Sequence, residues 1–438
     1  MGGKEANNEP LGELDLVFAF DCTASMGAHL QQAQANVRTI AREIAAAERA
    51  SVRMALVAYR DHPPEDSSFE TEVLNFTQSV DEMEQRLMTY SAQGGGDGPE
   101  CVADALYQVS QLKYRPNAAK VCILIADAPP HGLGETGDGF PNGSPNGHDP
   151  YAISRRLATM GVTVYCVGVE PVISSSYRFA RTFFESVAEA THGQYVTLGS
   201  STMLASVIIG GAAEELALER LMAAARKELE EGVRRGAVAL DDKEACSSYL
   251  CAEINSMGFR SKQLQRNGKE LEEHSAEAKE WSTCATLSEV RAKTASMPMV
   301  RDCSSGGFSF GGSVAPVTGS PFGAAPAASG CGMLTFGAAA TPAFGSAAAS
   351  SSSGFSFGGS GAAPAASGCG MLTFGAAATP AFGSAAASLF GAPAASGMFG
   401  ATSRPIADES DSWTVVEAPV SSSQSKRLYS KILSSYST

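Results

Sequence analysis

The sequence predicts a doubly wound α/β domain with a mostly parallel sheet, followed by a helical extension and a disordered low-complexity tail. Three observations support this prediction. Apolar runs of strand length alternate with amphipathic segments from residue 14 to residue 199, as in a parallel sheet that helices cover on both faces. The strand pattern ends after Gly199, and helical periodicity continues. Residues 303–403 then contain no Asp, Glu, Lys, Arg, His, Asn or Gln.

The predicted sheet has strands that are separated by segments of helical periodicity. The strands cover LDLVFAF (14–20), SVRMALVAYR (51–60), the edge strand FETEVLNF (69–76), AKVCILIA (119–126), VTVYCVGV (162–169) and QYVTLG (194–199). After the first strand, Leu30, Val37, Ile40 and Ile44 recur on one helical face. Further helices are predicted over residues 80–90, 99–112, 151–161, 176–193 and 216–235.

Composition excludes several classes of function. The chain has 438 residues, a formal net charge of −14 and a pI near 5.0. Because no Lys/Arg cluster is present, we expect no nucleic-acid partner, since phosphate binding requires a basic patch. No run of about 18 apolar residues occurs, so we expect no membrane span. The ten cysteines are scattered, which is typical of reduced thiols and indicates a cytoplasmic protein.

Side chains with oxygen atoms follow two of the predicted strands, and others lie in a third loop that precedes a helix. The first strand ends in Asp21-Cys22-Thr23-Ala24-Ser25, a D-x-[ST]-x-S pattern, and Asp127 ends the strand VCILIAD. The loop GGGDGPE (94–100) precedes a helix. Ligands of doubly wound sheets bind beyond the carboxyl ends of the strands, and carboxylate and hydroxyl oxygens are the ligands of hard cations. The three loops therefore predict a shared metal site.

With these motifs the sequence resembles the von Willebrand factor A (VWA) domain and its metal-ion-dependent adhesion site, from about Leu14 to Leu218. The resemblance implies a VWA/Rossmann-like fold. It assigns Asp21, Thr23 and Ser25 to the D-x-S-x-S loop, with Thr23 as a hydroxyl substitute, and Asp127 to the aspartate of the third loop. The family often has a threonine in the second loop, where this chain has none. We expect Asp97 to replace it, directly or through water.

The predicted metal ligands are thus Asp21, Thr23, Ser25, Asp97 and Asp127. Mg²⁺ is the expected ion, and Mn²⁺ and Ca²⁺ are alternatives. The resemblance implies that an acidic side chain of a protein partner completes the coordination. Three carboxylates around a divalent cation should hold the metal tightly but weaken its attraction for that acidic group.

Three short sequence motifs narrow the resemblance to a subfamily of VWA domains. AYRDH (58–62), GGGDGPE (94–100) and IADAPPHG (125–132) are similar to the VWA domains of atypical alpha-kinases and their kinase-less relatives. After residue 220 we find no nucleotide-binding Gly loop between a strand and a helix, and the glycines of the tail lack the Lys and Asp that phosphoryl transfer needs. We therefore expect that the chain is not an enzyme.

A long polar loop at residues 128–149 follows Asp127 directly. We interpret it as a partner-contacting or self-capping element. The alternative is a second metal site, with ligands from His131, Glu135, Asp138, His148 and Asp149. The Asp61-His62 pair follows a strand and is predicted to have a structural role in a turn.

The low-complexity segment contains nine Phe-Gly dipeptides between residues 306 and 400, and the block at 323–350 recurs unchanged at 361–388. Gly, Ala, Ser and Pro bury too little surface to offset chain entropy, so we expect disorder. The segment resembles the FG repeats of nucleoporins, although low-complexity drift produces the same appearance. Either origin predicts weak multivalent self-association.

The predicted organisation has a flexible N-terminus (1–12), a VWA domain (13–218), a helical extension (219–300), disordered FG-rich repeats (301–403) and a C-terminal strand and helix (404–438). The last segment either docks on the sheet domain or binds a partner. We expect a metal-dependent protein-binding adaptor or scaffold. The alternatives are an FG protein that is associated with the nuclear pore or nuclear transport, and a kinase-less relative of the VWA alpha-kinases.

Overall fold

The computed structural model describes residues 12–48, 50–297 and 411–436. All of them belong to one of the two units of the chain, which joins residues 1–301 with residues 406–438. The predicted disordered repeats at 301–403 lie outside the described residues, as does the predicted flexible N-terminus apart from Gly12.

A six-stranded sheet forms the centre of this unit. Its strands are β1 (Glu13–Asp21), β2 (Ser51–Tyr59), β3 (Thr71–Thr77), β4 (Ala119–Ala126), β5 (Val162–Val169) and β6 (Tyr195–Leu198). They are arranged in the order β3-β2-β1-β4-β5-β6. Only the pairing of β2 with β3 is antiparallel among them. The central strands are almost wholly buried, which explains their continuous apolar sequence.

The order in which strands are added to the sheet reverses at β1. The chain passes from β1 to β2 on one side and later returns to β4 on the other side. Phe20, near the end of β1, pairs with Ile125, near the end of β4. Asp21 and Asp127 therefore occupy neighbouring strand ends, at the switch point where doubly wound sheets bind their ligands.

Helices cover both faces of the sheet. They are α1 (Gly27–Glu48), α2 (Val80–Leu87), α3 (Val102–Gln111), α4 (Pro150–Thr159), the short α5 (Val172–Ser176), α6 (Ala180–Ala190) and α7 (Leu204–Arg234). One apolar core joins α1, α2 and α7 to the sheet. A second core joins α3, α4 and α6 to the opposite face.

The chain continues through α8 (Lys243–Ser256), β7 (Arg260–Arg266), β8 (Lys269–Glu270), α9 (Ala276–Ser282) and α10 (Leu287–Ser296). The last two helices return to the sheet domain, where Trp281, Leu287 and Val290 are buried in the second core. The predicted helical extension therefore also contains two strands. Helix α7 crosses the predicted boundary at residue 218 without interruption.

The C-terminal segment forms β9 (Trp413–Pro419) and α11 (Ser422–Tyr436). Strand β9 pairs antiparallel with β7, from Arg260 opposite Pro419 to Arg266 opposite Trp413. Apolar residues of α11 pack with α7 and α8 in a third buried cluster. Of the two alternatives that the sequence left open, docking on the folded unit is the one that the structure adopts.

The predicted fold class is confirmed: the sheet is mostly parallel, and β3 is an antiparallel edge strand. Within the described residues, the stretch Ser201–Arg234 is long and apolar enough to cross a membrane by length and composition. Because 67% of its most apolar window is buried inside the protein, it resembles a core helix and is weak evidence for a span.

Candidate metal centre

Asp21 is the last residue of β1 and its side chain is fully buried. Its Oδ1 accepts hydrogen bonds from the backbone N–H of Thr23 at 2.9 Å and from the Thr23 hydroxyl at 2.6 Å. The Thr23 hydroxyl is also 3.3 Å from Ser25 Oγ. Asp21 Oδ2 is buried without a hydrogen-bond partner. A buried carboxylate oxygen without a donor is costly, so a proton or a cation belongs beside Oδ2.

Asp127 follows β4 and is buried beside the Asp21 loop. Burial, and next the charge of Asp127, raises the pKa of Asp21 to about 8. Burial also raises the pKa of Asp127, although a hydrogen bond from Ser25 opposes the shift. Thr23, Ser25 and the two aspartates are therefore brought together. Each carboxylate destabilises the charged form of the other, and a bound divalent cation would reverse that effect.

Glu100 lies on the same site, although the sequence analysis did not select it. The residue is 4% exposed, and its Oε2 has no hydrogen-bond partner. Burial, followed by the charges of Asp21 and Asp61, raises the pKa of Glu100 to about 11. The available signal was that Glu100 is the second carboxylate of the loop that contains Asp97.

Gly95 allows the second loop to approach the first. Its φ is +80°, and a Cβ at this position would lie 2.8 Å from Glu100 Oε1 and 3.3 Å from Thr23 Cβ. The Glu100 carboxylate thus packs close to the Asp21 loop because residue 95 has no side chain and adopts a backbone conformation that glycine accepts without strain.

Asp97 belongs to a neighbouring cluster with Asp61 and His131. One potential ligand atom from each of these three residues lies within 4.8 Å of the others. His131 Nε2 is 2.7 Å from Asp61 Oδ1, and its Nδ1 is 2.8 Å from Asp138 Oδ1. Burial lowers the pKa of His131, but the hydrogen bonds to Asp138 and Asp61 raise it to about 9. The cluster therefore contains an imidazolium whose nitrogens are both engaged.

The 128–149 loop uses its other acidic groups to fix its own position. Glu135 accepts hydrogen bonds from the backbone N–H groups of Arg178 and Phe179, just before α6. Asp149 caps α4 through its Oδ1, and its Oδ2 accepts the backbone N–H of Leu287. These contacts agree with a self-capping loop that is held against the folded domain.

The donor set suits a hard divalent cation. Asp21, Glu100 and Asp127 supply carboxylates, and Ser25 supplies a hydroxyl, all of which are ligands that Mg²⁺ accepts. Buried oxygens of Asp21 and Glu100 lack hydrogen-bond donors. Burial is the largest cause of the raised pKa values of these carboxyl groups. A bound cation would favour their charged forms, so the residues present fit the ion.

Comparisons with known proteins agree with this architecture. A family model of the von Willebrand factor type A domain matches residues 15–201. The chain is 31% identical over 137 residues to the alpha-protein kinase vwkA of Dictyostelium discoideum. The matched region covers 31% of this chain and 22% of the kinase. The chain thus spans about a fifth of that relative's length.

Among solved structures, a von Willebrand factor type A protein from Catenulispora acidiphila has 16% sequence identity and a TM-score of 0.36. The matched region covers 47% of this chain and 43% of that protein's chain. The pilus adhesin SpaC from Lactobacillus rhamnosus GG has 11% identity, with coverage of 48% and 31% and a TM-score of 0.36. Sequence motifs, sheet order and the family match lead to the same assignment: residues 15–201 of this chain form a von Willebrand factor type A domain.

Proposed function

We propose that this protein is a non-enzymatic adaptor whose VWA domain binds a protein partner through a divalent cation. The observation that carries the proposal is the convergence of Asp21, Ser25, Glu100 and Asp127 at the switch point of the sheet, with buried carboxylate oxygens that lack donors. VWA domains mediate protein–protein interaction and adhesion, and this domain is the part of the chain that the family model matches.

In the proposed site, Mg²⁺ is the resident ion, and Mn²⁺ or Ca²⁺ are alternatives. Asp21, Ser25 and Asp127 would hold it, together with Glu100. Thr23 already donates its hydroxyl hydrogen to Asp21 Oδ1, so it either orients that carboxylate or offers its remaining lone pairs.

Asp97 has a different place in this proposal. Its Oδ2 accepts the backbone N–H of Gly139, and it shares a cluster of potential ligands with Asp61 and His131. We therefore assign Asp97 to the support of the site, through water or through the 128–149 loop.

The charge of the site shapes the choice of partner. Three carboxylates from Asp21, Glu100 and Asp127 around one divalent cation leave a formal charge of −1. Such a site would retain its metal and attract an acidic partner group only weakly. A single partner carboxylate that completes the coordination remains the proposed mode. Additional neutral contacts around the site would then be needed for affinity.

Kinase activity is not part of the proposal. The similarity to vwkA covers 22% of that protein, and the family comparison matches the VWA domain. We propose a cytoplasmic adaptor in which the FG-rich segment adds weak multivalent contacts.

The test is calorimetric titration of Mg²⁺ into the full chain and into the variants Asp127→Asn, Glu100→Gln and Asp97→Asn. We expect one saturable site that is lost in the first variant, weakened about tenfold or more in the second, and retained in the third. Thermal unfolding in Mg²⁺ and in EDTA gives a second readout, because a ligand that binds only the native state raises stability.

Unchanged Mg²⁺ binding in both Asp127→Asn and Glu100→Gln would refute the assigned site. Loss of binding in Asp97→Asn alone would move the site to the His131 cluster. With the site established, Mg²⁺-dependent capture of a partner that fails in EDTA and in Asp127→Asn would support the adaptor function.

A further inference from the structure

A second group of potential ligands lies outside the proposed magnesium site. His62 follows β2, Glu70 directly precedes β3, and Asp104 lies in the first turn of α3. One ring nitrogen of His62 and one oxygen from each carboxylate lie within 4.8 Å of one another. Three separate parts of the fold therefore bring one nitrogen and two oxygens close together.

Buried atoms of this group lack hydrogen bonds. His62 is 0% exposed, and neither of its ring nitrogens has a hydrogen-bond partner. Asp104 is 3% exposed, and its Oδ2 also has no partner. Desolvating these polar atoms without compensation is unfavourable. The side chains of this group therefore leave some of their buried polar atoms without a hydrogen-bond partner.

His62 Nε2 is 3.1 Å from Asp104 Oδ2, and His62 Nδ1 is 3.6 Å from Glu70 Oε2. One ion binds one ring nitrogen of His62, so only one of the two nitrogen–oxygen contacts can be a separation between ligands of the same ion. One ligand atom from each of the three residues lies within 4.8 Å of the others. These atoms are close, but they are not aligned as hydrogen bonds. In a tetrahedral site with bonds of about 2.0–2.1 Å, neighbouring nitrogen and oxygen ligands are about 3.4 Å apart and point at the metal rather than at each other.

Outer contacts hold the carboxylates in place. His148 Nδ1 is 2.7 Å from Asp104 Oδ1, and Asn146 Nδ2 donates to the same oxygen at 2.8 Å. Asn146 also donates at 2.7 Å to Glu70 Oε2, the oxygen that lies 3.6 Å from His62. Asp104 Oδ2 is left free on the side of His62. Hydrogen bonds that orient one oxygen of a carboxylate and leave the other for a metal are typical of metal sites.

We propose that His62, Glu70 and Asp104 form a binding site for a first-row transition metal ion, and that Zn²⁺ is the ion that they bind. The imidazole nitrogen selects such an ion over Mg²⁺ and Ca²⁺, which prefer oxygen ligands throughout. The Glu70 side chain is 36% exposed, so the ion can enter from solvent, and water can take the fourth position. The bound ion cross-links the segment after β2 to β3 and α3.

This site is independent of the proposed adhesion function, because it shares no ligand with Asp21, Glu100 or Asp127. The competing explanation is an imidazolium that forms ion pairs with the two carboxylates. The two ion pairs would have His62–carboxylate distances of 3.1 Å to Asp104 and 3.6 Å to Glu70, and that explanation predicts no Zn²⁺ binding.

The experiment uses the full chain, stripped of metal and kept in millimolar Mg²⁺ so that the other site is filled. Zn²⁺ is added in competition with a chromophoric chelator. We expect one Zn²⁺ per chain, with an affinity that falls roughly tenfold or more in His62→Gln and in Asp104→Asn. Asp127→Asn should keep the Zn²⁺ site. His274→Gln is the matched histidine control, because His274 also lies beside a carboxylate, 2.9 Å from Glu189.

Absence of Zn²⁺ binding by the wild-type chain, or equal affinity in the wild type and in the His62 and Asp104 variants, overturns the proposal. So does a loss of affinity in His274→Gln that equals the loss in His62→Gln. Circular dichroism establishes that each variant is folded. Should His62→Gln fail to fold, the partly exposed Glu70→Gln replaces it, with the same expected loss. Replacement of Zn²⁺ by Co²⁺ should give visible absorption typical of a four-coordinate site, and this absorption should be lost in the ligand variants.

Discussion

Arg427 of α11 is expected to contribute more to stability than any exposed ion pair of the described structure. Its side chain is 7% exposed and forms ion pairs with Glu214, at 3.3 Å, and with Glu215. It also donates hydrogen bonds to the Tyr165 hydroxyl and to the His192 carbonyl oxygen, both at 2.9 Å. The C-terminal helix is thereby attached to α7, β5 and the turn after α6.

The expected magnitude follows from what Arg427→Met would leave behind. Both glutamates are 2% exposed, and removal of one partner from a buried ion pair typically costs about 3–5 kcal/mol. Lys431 still contacts Glu215 in the variant, so only Glu214 loses its main counter-charge. We therefore expect the lower end of that range, a loss of about 3 kcal/mol in the free energy of unfolding.

The assay is urea unfolding of the full chain, followed by circular dichroism. Arg38→Met is the matched control, because Arg38 pairs with Asp81 and Glu84 at the protein surface, where solvent and salt screen such pairs and they contribute little. The double variant Arg427→Met/Glu214→Gln should recover part of the loss. If Arg427→Met costs no more than Arg38→Met, the reasoning from buried charge is refuted.

Three further predictions concern the protonation of His192, the loop that contains Gly95, and helix α9. Burial, followed by the charge of Lys431, lowers the pKa of His192 from 6.5 to about 4. Below pH 6.5 the unfolded chain binds a proton that the folded chain does not, so acidification to pH 5 should lower the free energy of unfolding by about 1–2 kcal/mol. This part of the pH dependence, measured by urea unfolding, should vanish in His192→Gln. Gly95→Ala should cost about 1–2 kcal/mol in thermal unfolding and weaken Mg²⁺ binding in calorimetry, because the new Cβ displaces the Glu100 carboxylate. Trp281→Ala should cost about 3–5 kcal/mol in urea unfolding, since the indole is fully buried against the sheet domain.

Each of these has a matched comparison. Gly147 has φ +75° and no atom within 4 Å of an added Cβ, so Gly147→Ala measures backbone strain alone; equal Mg²⁺ affinity in the two alanine variants would contradict the proposed contact with Glu100. Met88 is 56% exposed, and Met88→Ala gives the cost of losing a surface side chain. A Trp281→Ala loss no larger than this would mean that α9 is not part of the core. Identical pH dependence in the wild type and His192→Gln would exclude His192 as the titrating group.

The sequence by itself determined the layered architecture and part of the proposed metal centre. Strand and helix periods are local properties, because a strand that is buried on both faces must be apolar throughout, whereas a covering helix needs one apolar face. Asp21 and Asp127 could be selected because each stands at the end of such a strand, and the carboxyl ends of neighbouring parallel strands lie at one edge of a sheet.

Only the tertiary structure shows where each carboxylate of the second loop lies. Asp97 and Glu100 are three positions apart in one loop, and no periodicity distinguishes them. The positive φ of Gly95 and the absence of a side chain there bring Glu100 beside Thr23, while Asp97 accepts a hydrogen bond from the 128–149 loop. Such choices depend on contacts between distant segments and not on local pattern.

The pairing of β9 with β7, the burial of Arg427 and the meeting of His62 with Asp104 have the same origin. In each case the partners are far apart in sequence, and their local segments are compatible with several arrangements. The matching of apolar area, charge and backbone hydrogen bonds selects one of them only when the whole chain is folded.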